Sequence, residues 1–490
     1  MEQFKIWECR LPGANGVGEF ELNGAVIRIG GFPSGSDTVI RFMPDCPGLW
    51  HYRICTDTNE ASGEFLCTPP ERKNHGMVTA QNQTFRYADG SRYFPFGTTC
   101  YGWIHQNEEI RRQTLETLSR SPFNKLRMCL FPKYMVYNEG EPEQFPFQKR
   151  ADGSWDVQSP NEAFWEMLEK ALRDLDKLGI EADLILFHPY DHWGFATMSR
   201  EDSLTYLCYC VRRLSPFKNI WWSLANEYDI LPGKTEEDWE AFAACIRQED
   251  PYGHLLSIHN CCQPYPDRDW MTHCSIQTNH CRQALTLGWE YKKPIVIDEC
   301  GYEGNIEFTW GNLSGFELVN RFWTTLACGG YCTHGETFFR DDRILWWGKG
   351  GTLRGKSVSR IAFARNLLES LPGVPEAMMG TLSMDPNGGG ADSSMAAFGE
   401  AMMRMPEAAR TAYIAELIPM VFGNQDYRIY YLGRSCPAWL DVQCPRKGTY
   451  KVEIIDVWEM TRTPVGEVTE TGRVTLPGKE GIAVLLTGRK

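Results

Sequence analysis

The 490-residue chain is longer than one hydrophobic core usually organises, which predicts a catalytic domain of about 250–300 residues with one or two smaller domains. Its 42% hydrophobic and 23% charged residues are typical of a globular protein and exclude intrinsic disorder. The net charge of −13, without a long run of Lys or Arg, excludes a nucleic-acid partner, because such proteins need a basic surface.

The N-terminus and the cysteines predict a cytoplasmic protein with no membrane partner. No stretch near Met1 is apolar enough for a signal peptide, and no segment approaches the roughly 18 apolar residues of a membrane span. The 18 cysteines are scattered, and several lie in apolar runs, as expected of reduced thiols. None repeats at C-x2-C spacing, so we expect no structural zinc.

Residues 1–70 are predicted to form an antiparallel β-sandwich. The segments 24–30, 37–42 and 48–54 alternate with period two and are separated by Gly, Pro and Asn. A Pro-rich linker at 69–74 ends this domain.

Residues 75–372 are predicted to form an α/β domain, a (β/α)8 barrel. Eight apolar strand segments alternate with helical patterns over this stretch. The strands are 93–97, 125–129, 182–187, 219–224, 255–258, 274–277, 294–297 and 330–333, and the clearest helices are 161–178, 235–249 and 357–371. No glycine-rich phosphate-binding motif follows a strand, so a nucleotide-binding sheet has no support.

Residues 373–490 are predicted to be a linker and a second β-sandwich. The stretch 373–425 suits a long connection that carries a helix or two. Strand patterns then return at 427–432, 450–455 and 482–486.

Two carboxylates directly follow barrel strands. Glu227 comes after the fourth strand and Glu299 after the seventh, and barrel enzymes place catalytic groups at these strand ends. A single strand-end glutamate more often forms a salt bridge. A pair on opposite sides of a barrel suits retaining glycoside hydrolysis, which needs a nucleophile and an acid/base about 5–5.5 Å apart.

The segments 222–227 (WSLANE) and 294–299 (PIVIDE) resemble the signature segments of the clan of retaining (β/α)8 glycosidases that includes cellulase-like, β-mannanase and β-galactosidase families. The resemblance implies that Glu227 is the acid/base and Glu299 the nucleophile. It also implies that Asn226 binds the sugar 2-hydroxyl and that Arg127 keeps the nucleophile ionised, since a nearby guanidinium lowers a carboxylate pKa.

A second resemblance covers nearly the whole chain. The segments 48–50, 94–101 and 333–337 are similar to bacterial proteins grouped with the glycosidases, which carry an immunoglobulin-like DUF5060 domain before an apiosidase-like (DUF4038) barrel. The segment 455–461 resembles their C-terminal DUF5605 sandwich. The implied fold is a TIM barrel flanked by an N-terminal immunoglobulin-like β-sandwich and a C-terminal β-sandwich.

Two positions depart from the clan pattern. The sixth strand ends at His280, where the clan commonly has a Tyr that contacts the nucleophile. Asp298, beside Glu299, competes for the nucleophile role, and because neighbours on a strand point to opposite faces, only one of the two can point inward.

Polar and aromatic residues after other strands are predicted to shape the sugar subsite. Flat rings suit sugar faces, and polar groups suit hydroxyls. These residues are Tyr101, Trp103, His188, Asp191, Trp193, His280, His334, Glu336 and Trp346.

The predicted function is therefore an exo-acting retaining glycoside hydrolase for small oligosaccharides or glycosides, without a cofactor. One alternative is a metal-dependent hydrolase or isomerase on the same barrel, with ligands among His188, Asp191, His192, His280 and His334. Another is a carbohydrate-binding protein without catalysis. The sugar stays open, and so does the oligomeric state, with a homo-oligomer among the options.

Overall fold

The computed structural model describes residues 1–379, 393–417 and 419–488. Contacts divide the chain into two compact units. The first contains Met1–Gln81, Phe85–Ser275 and Phe339–Leu353, and the second contains Asn82–Thr84, Ile276–Phe338 and Arg354–Lys490. The helices of the described residues are all too short or too polar to cross a lipid bilayer.

The first unit begins with seven antiparallel strands in a three-stranded and a four-stranded sheet, which agrees with the predicted N-terminal β-sandwich. Phe20 stacks on Phe42, and Trp50 packs edge-on against Phe42 in the core of this domain. The strands are Trp7–Pro12, Val17–Leu22, Ala25–Gly30, Phe32–Ser34, Asp37–Phe42, Gly48–Cys55 and Glu60–Cys67. A small three-stranded sheet follows, with strands Val78–Gln81, Thr84–Tyr87 and Arg92–Tyr93.

All eight predicted barrel strands are found, although the first begins at Phe96, and Tyr93 pairs in the small sheet before it. They form one sheet in the order five, four, three, two, one, eight, seven, six, and a parallel bridge between His259 and Ser275 links the loop after strand five to strand six. The prediction of a (β/α)8 barrel is therefore confirmed. The strands are Phe96–Thr99, Lys125–Cys129, Glu181–Ile185, Ile220–Ser223, Leu256–Ser257, Cys274–Gln277, Ile295–Glu299 and Tyr331–His334.

Helices follow every barrel strand except the fifth. Some of their starts carry side-chain caps: Thr235 and Asp238 form a reciprocal capping box, and Ser314 accepts a hydrogen bond from the third residue of its helix. The helices are Glu108–Ser119, Glu162–Lys177, Arg200–Leu214, Glu236–Glu249, Gln283–Tyr291, Gly315–Ala327 and Ser357–Ser370. Within residues 258–273, all described, the connection from strand five to strand six has no helix.

Shorter elements decorate the loops of the barrel. A two-stranded hairpin, Phe147–Lys149 and Trp155–Pro160, follows the second strand, and Glu303–Gly304 pairs with Glu336–Thr337. The remaining elements are the short helices Trp103–His105, Tyr228–Ile230, Thr309–Gly311 and Trp346–Lys349.

The predicted connection and second sandwich are also found. Helices Ser393–Arg404 and Glu407–Leu417 confirm the helix or two expected within 373–425, of which residues 380–392 and 418 lie outside the described residues. Eight antiparallel strands, one before these helices and seven after them, form one sheet, and strands from both of its ends share one core. They are Glu376–Met379, Met420–Gly423, Tyr427–Tyr431, Trp439–Gln443, Thr449–Asp456, Thr461–Thr469, Thr471–Thr475 and Ile482–Gly488.

Candidate active site

Glu227, the predicted acid/base, lies just beyond the fourth barrel strand and is 4% exposed. Its φ of +52° is a left-handed conformation that is uncommon for residues other than glycine. Hydrogen bonds hold this turn, because Asn226 N–H donates to the Phe187 carbonyl and Tyr228 N–H to the His259 carbonyl, both at 2.9 Å. Strained backbone of this kind concentrates at functional sites.

A chain of hydrogen bonds fixes the side-chain amide of Asn226. Arg127 donates from one guanidinium nitrogen to Asn226 Oδ1 and from another to Asp183 Oδ2, each at 3.0 Å. Asn226 Nδ2 then donates to Glu227 Oε2 at 3.0 Å. Because Arg127 can only donate, it selects the amide orientation that presents N–H to Glu227. The structure thus brings together three predicted site residues.

Asp183 is a buried partner in this chain that the sequence analysis did not single out. Its carboxylate also binds Lys125 Nζ at 2.6 Å, so it neutralises charge between two cations of the second barrel strand. All three side chains are within 1% of fully buried. The available signal in the sequence was a charged residue inside the apolar segment 182–187.

The second unit contains the predicted nucleophile, Glu299, at the end of the seventh strand. Its neighbour Asp298 is fully buried and accepts a hydrogen bond from Thr333 Oγ1 at 2.7 Å, which links strands seven and eight. Glu299 is partly exposed. Asp298 thus has a structural partner in the barrel wall, and Glu299 is the more exposed of the two carboxylates.

Glu336, a predicted subsite residue, is one of two buried carboxylates that bind the start of the helix Ser357–Ser370. Glu336 accepts the N–H groups of Arg354 and Gly355, and Glu303 accepts those of Lys356 and Ser357. Burial raises the pKa of Glu336 to about 7. Sequence reasoning missed Glu303, which lies far from this helix along the chain.

His334 completes the one group among the described residues whose ligand atoms lie close enough to hold a metal, with Glu303 and Glu336. Burial lowers the pKa of His334 to about 3, so its imidazole is neutral. The two carboxylates, however, already bind four backbone N–H groups, which is the arrangement of a helix N-cap. None of His188, Asp191, His192 and His280 belongs to this group.

Tyr101, Trp103 and Trp346 are buried in the first unit. Trp103 Nε1 donates to Met128 Sδ at 3.4 Å, and Trp346 Nε1 donates to Thr98 Oγ1 at 2.8 Å. Both indoles are therefore bound to residues of barrel strands, Met128 of the second and Thr98 of the first. Their predicted role in binding a sugar stays a prediction.

The residues after the third strand form their own loop structure. His188 Nε2 lies 3.2 Å from the Phe131 carbonyl, and burial lowers the pKa of this imidazole to about 3. Asp191 accepts backbone N–H groups of Trp193 and Ala196, which fixes the turn. Trp193 is partly exposed, and its Nε1 donates to Glu141.

His280 lies in the second unit, on the loop after the sixth strand. Its imidazole is exposed, and its backbone N–H donates to Thr278 Oγ1 at 3.0 Å. The predicted role of His280 in the sugar subsite, at the position where the clan commonly has a Tyr, therefore stays a prediction.

Comparisons with known proteins place this geometry in context. Residues 79–369 match the model of the family described as "Apiosidase-like, catalytic domain", and residues 417–487 match the domain of unknown function DUF5605. No curated protein matches the chain significantly. These matches bear out the two predicted resemblances for the barrel and the C-terminal domain, while the resemblance of residues 1–70 to DUF5060 stays a prediction.

Solved structures are similar over the same range. A candidate glycoside hydrolase from Bacteroides vulgatus ATCC 8482 is 31% identical, with a TM-score of 0.87, and the alignment covers 100% of this chain and 99% of that one. A family 5 glycoside hydrolase from the same organism is 14% identical, with a TM-score of 0.61 and coverage of 86% and 93%. The second likeness shows the fold alone. Together the matches confirm the prediction of a glycoside-hydrolase barrel.

Proposed function

The chain belongs to the apiosidase-like family, and we propose that it is a retaining, exo-acting glycoside hydrolase for small oligosaccharides or glycosides. The observation that carries the proposal is the hydrogen-bonded series Asp183, Arg127, Asn226 and Glu227 beyond the fourth barrel strand. The series holds the buried carboxyl of Glu227 beside the oriented amide of Asn226. This arrangement is expected of an acid/base that lies next to an amide for binding a sugar hydroxyl.

In the proposed first step, the Glu299 carboxylate attacks the anomeric carbon while Glu227 gives its proton to the leaving oxygen. The glycosidic bond breaks, and a covalent bond between the sugar and Glu299 forms. In the second step, Glu227 takes a proton from water, and the resulting hydroxide equivalent displaces Glu299. The carboxyl ends of parallel barrel strands lie at one face of a barrel, which supports a shared substrate for the two residues.

The choice of Glu299 over Asp298 rests on burial and hydrogen bonding. Asp298 is fully buried and bound to Thr333, so attack from its carboxylate would require breaking the contact between strands seven and eight. Glu299 is partly exposed at the strand end. A nucleophile must reach the substrate, which favours Glu299.

Loops support the preference for small substrates. The segment between the second strand and the helix Glu162–Lys177 is long and carries the hairpin Phe147–Lys149 and Trp155–Pro160. Long loops at a barrel mouth convert an open groove into a pocket, which suits removal of a terminal sugar.

Free thiols at all 18 cysteines support a reducing, cytoplasmic compartment.

The direct test is turnover of a panel of activated aryl glycosides by the wild type, Glu227→Gln and Glu299→Gln. We expect kcat/KM to fall by about a thousandfold or more in both variants, because each removes a group that acts in the transition state. Glu166→Gln is a matched control, since Glu166 is exposed on the outer helix Glu162–Lys177. Near-normal turnover in either active-site variant contradicts the assignment, and loss of wild-type activity with a chelator favours the metal-dependent alternative.

A further inference from the structure

Lys133 is a buried cation enclosed by aromatic rings in the first unit. It is 5% exposed, and its Nζ lies 3.9 Å from the ring centroid of Tyr101, 4.1 Å from that of Tyr190 and 5.1 Å from that of Trp347. Tyr101, Lys133, Tyr190 and Trp347 follow the first, second, third and eighth barrel strands respectively. Loops after barrel strands form the active-site face of this fold, so these four residues lie on the face where barrel enzymes bind their substrates.

The Lys133 ammonium has no anionic partner in the described part of the chain. None of the three glutamates of the same loop pairs with it: Glu139 pairs with Arg343 at 2.8 Å, Glu141 accepts from Trp193 Nε1 at 2.8 Å, and Glu143 is exposed. The rings stabilise the cation through their π faces, but they accept no strong hydrogen bonds from its three N–H donors. A buried charge normally has a counter-charge, and none of the described residues supplies one for Lys133.

The surroundings of Lys133 suit a ligand more than a protein partner. Lys133 lines a small cleft with Gln106 and Asn138, which supply amide groups, and with the indole of Trp193. His188 beside it is held neutral, because burial and the Lys133 charge both lower its pKa. Glu139 and Glu141 line the cleft too, but Arg343 pairs with the first carboxylate and Trp193 Nε1 donates to the second, so Lys133 is the cation of this cleft that has no anionic partner among the described residues.

We propose that Lys133 binds a carboxylate of the substrate, so that the enzyme acts on glycosides that contain an acidic sugar. The inference rests on the proposed function and names the substrate class for the same site. A carboxylate supplies both the charge and the acceptors that the ammonium lacks. Because the whole chain has a net charge of −13, a small singly charged glycoside fits better than a polyanionic polymer.

The test measures binding as well as turnover. Calorimetric titration of the wild type with glucuronate and galacturonate, against glucose and galactose, should show tighter binding of at least one uronate than of its neutral counterpart. We expect a preference of about ten- to a hundredfold, the size of one hydrogen bond to a charged group. Lys133→Met, which keeps the length and the packing of the side chain, should abolish this preference, and Lys133→Arg should keep part of it.

Lys149→Met is the matched control, because Lys149 also lies over an aromatic ring, that of Trp155 at 4.8 Å, but is exposed. It should leave the preference intact. Equal affinity of the wild type for the uronates and the neutral sugars would overturn the inference, and so would a preference that survives in Lys133→Met. A thermal unfolding midpoint for each variant separates loss of binding from loss of folding.

Turnover distinguishes this inference from the proposed function. Matched aryl glycosides that differ only in a carboxylate or a hydroxymethyl group should be cleaved with a ratio of kcat/KM that favours the carboxylate and collapses in Lys133→Met. Cleavage of neutral glycosides alone would overturn the inference and leave the glycosidase assignment standing. Uronate binding that depends on Lys133, without turnover of any glycoside, would support the inference and contradict the proposed function.

Discussion

At the scale of single residues, Gly355 lies where no side chain fits. A Cβ at this position would lie 2.6 Å from Glu336 Oε2 and still closer to Glu303 Oε2. Gly355→Ala should therefore push apart the two carboxylates that bind the helix start and lower the free energy of unfolding by about 1–3 kcal/mol. Urea unfolding measures this change.

Gly399→Ala is the control for this substitution. Gly399 lies in the helix Ser393–Arg404 with no heavy atom within 4 Å of an added Cβ, so alanine should be neutral or stabilise the chain by about 0.5–1 kcal/mol. Equal effects of the two substitutions would show that the carboxylate pair does not enclose Gly355.

The surroundings of Cys208 change the pKa of its thiol. Its Sγ lies 3.5 Å from Cys245 Sγ, and the hydrogen bond between the two sulfur atoms lowers the pKa of Cys208 to about 7. Cys208 also lines a cavity of about 710 Å³ beside the helix Arg200–Leu214, which gives reagents access. Alkylation of Cys208 should therefore reach half its maximal rate near pH 7.

Peptide mass spectrometry after brief iodoacetamide treatment follows this rate across pH. Cys245→Ala removes the hydrogen bond and should move the midpoint toward the ordinary thiol range near about 8.5. An unchanged midpoint in the variant would contradict the role of Cys245.

The sequence predicted part of the site at this scale. Glu227 and Asn226 could be found because they follow a strand within a recognisable segment, and Arg127 because the family resemblance implies an arginine on the second strand; the structure brings the three together. Asp183, Glu303 and Lys133 could not be found in this way. Their roles depend on which distant side chains or backbone groups surround them, and that is a property of the tertiary structure.

At the scale of elements, one buried glutamate connects the N-terminal sandwich to two barrel helices. Glu169 on the helix Glu162–Lys177 binds Arg41 of a sandwich strand at 2.7 Å and Arg213 of the helix Arg200–Leu214 at 2.6 Å. All three side chains are at least 94% buried. Burial raises the pKa of Glu169, but hydrogen bonds and charges of the arginines outweigh it, so this pKa is lowered and the group stays ionised.

Glu169→Gln should lower the free energy of unfolding by about 3 kcal/mol, because it removes the buried counter-charge that Arg41 and Arg213 share and leaves each with one partly exposed partner, Glu8 and Glu162 respectively. Glu166→Gln, one turn away on the same helix and exposed, should change it by less than about 0.5 kcal/mol. Denaturant unfolding of both variants makes the comparison. Similar small effects would show that Arg41 and Arg213 are stabilised by other contacts.

The elements themselves were largely predictable from the sequence. The strands Lys125–Cys129 and Cys274–Gln277 were predicted at their observed bounds, since apolar runs between turn residues define buried parallel strands. The helix Glu236–Glu249 was predicted from Thr235 and the acidic residues that follow it. The missing helix between strands five and six is the exception, because an alternating pattern elsewhere does not reveal where a connection omits its helix.

At the scale of the whole molecule, buried ionisable groups set the dependence of stability on pH. Burial lowers the pKa of His105, His188 and His334 to about 3, so their contribution is present above pH 6.5 and is lost as pH falls below it. Burial raises the pKa of Glu181 to about 8 and that of Glu336 to about 7. Their contribution is present below pH 4.5 and is lost as pH rises through these values.

Glu336→Gln isolates one of these opposing contributions. The stability of the wild type relative to this variant should fall by up to about 3 kcal/mol between pH 4.5 and 7, because glutamine has no proton to lose. Urea unfolding of both proteins at several pH values in this window measures the difference. A constant difference across the window would mean that Glu336 is not held protonated in the folded state.

Chemical rescue with azide tests whether Glu227 and Glu299 divide a retaining reaction between them. Glu227→Ala and Glu299→Ala are assayed with an activated aryl glycoside in the presence of azide, and NMR identifies the anomer of each glycosyl azide. Glu227→Ala should yield a glycosyl azide that retains the anomeric configuration of the substrate, because azide attacks the intermediate on Glu299. Glu299→Ala should yield the inverted product, because azide there takes the place of the nucleophile. The same anomer from both variants, or full turnover without azide, would contradict this division of roles.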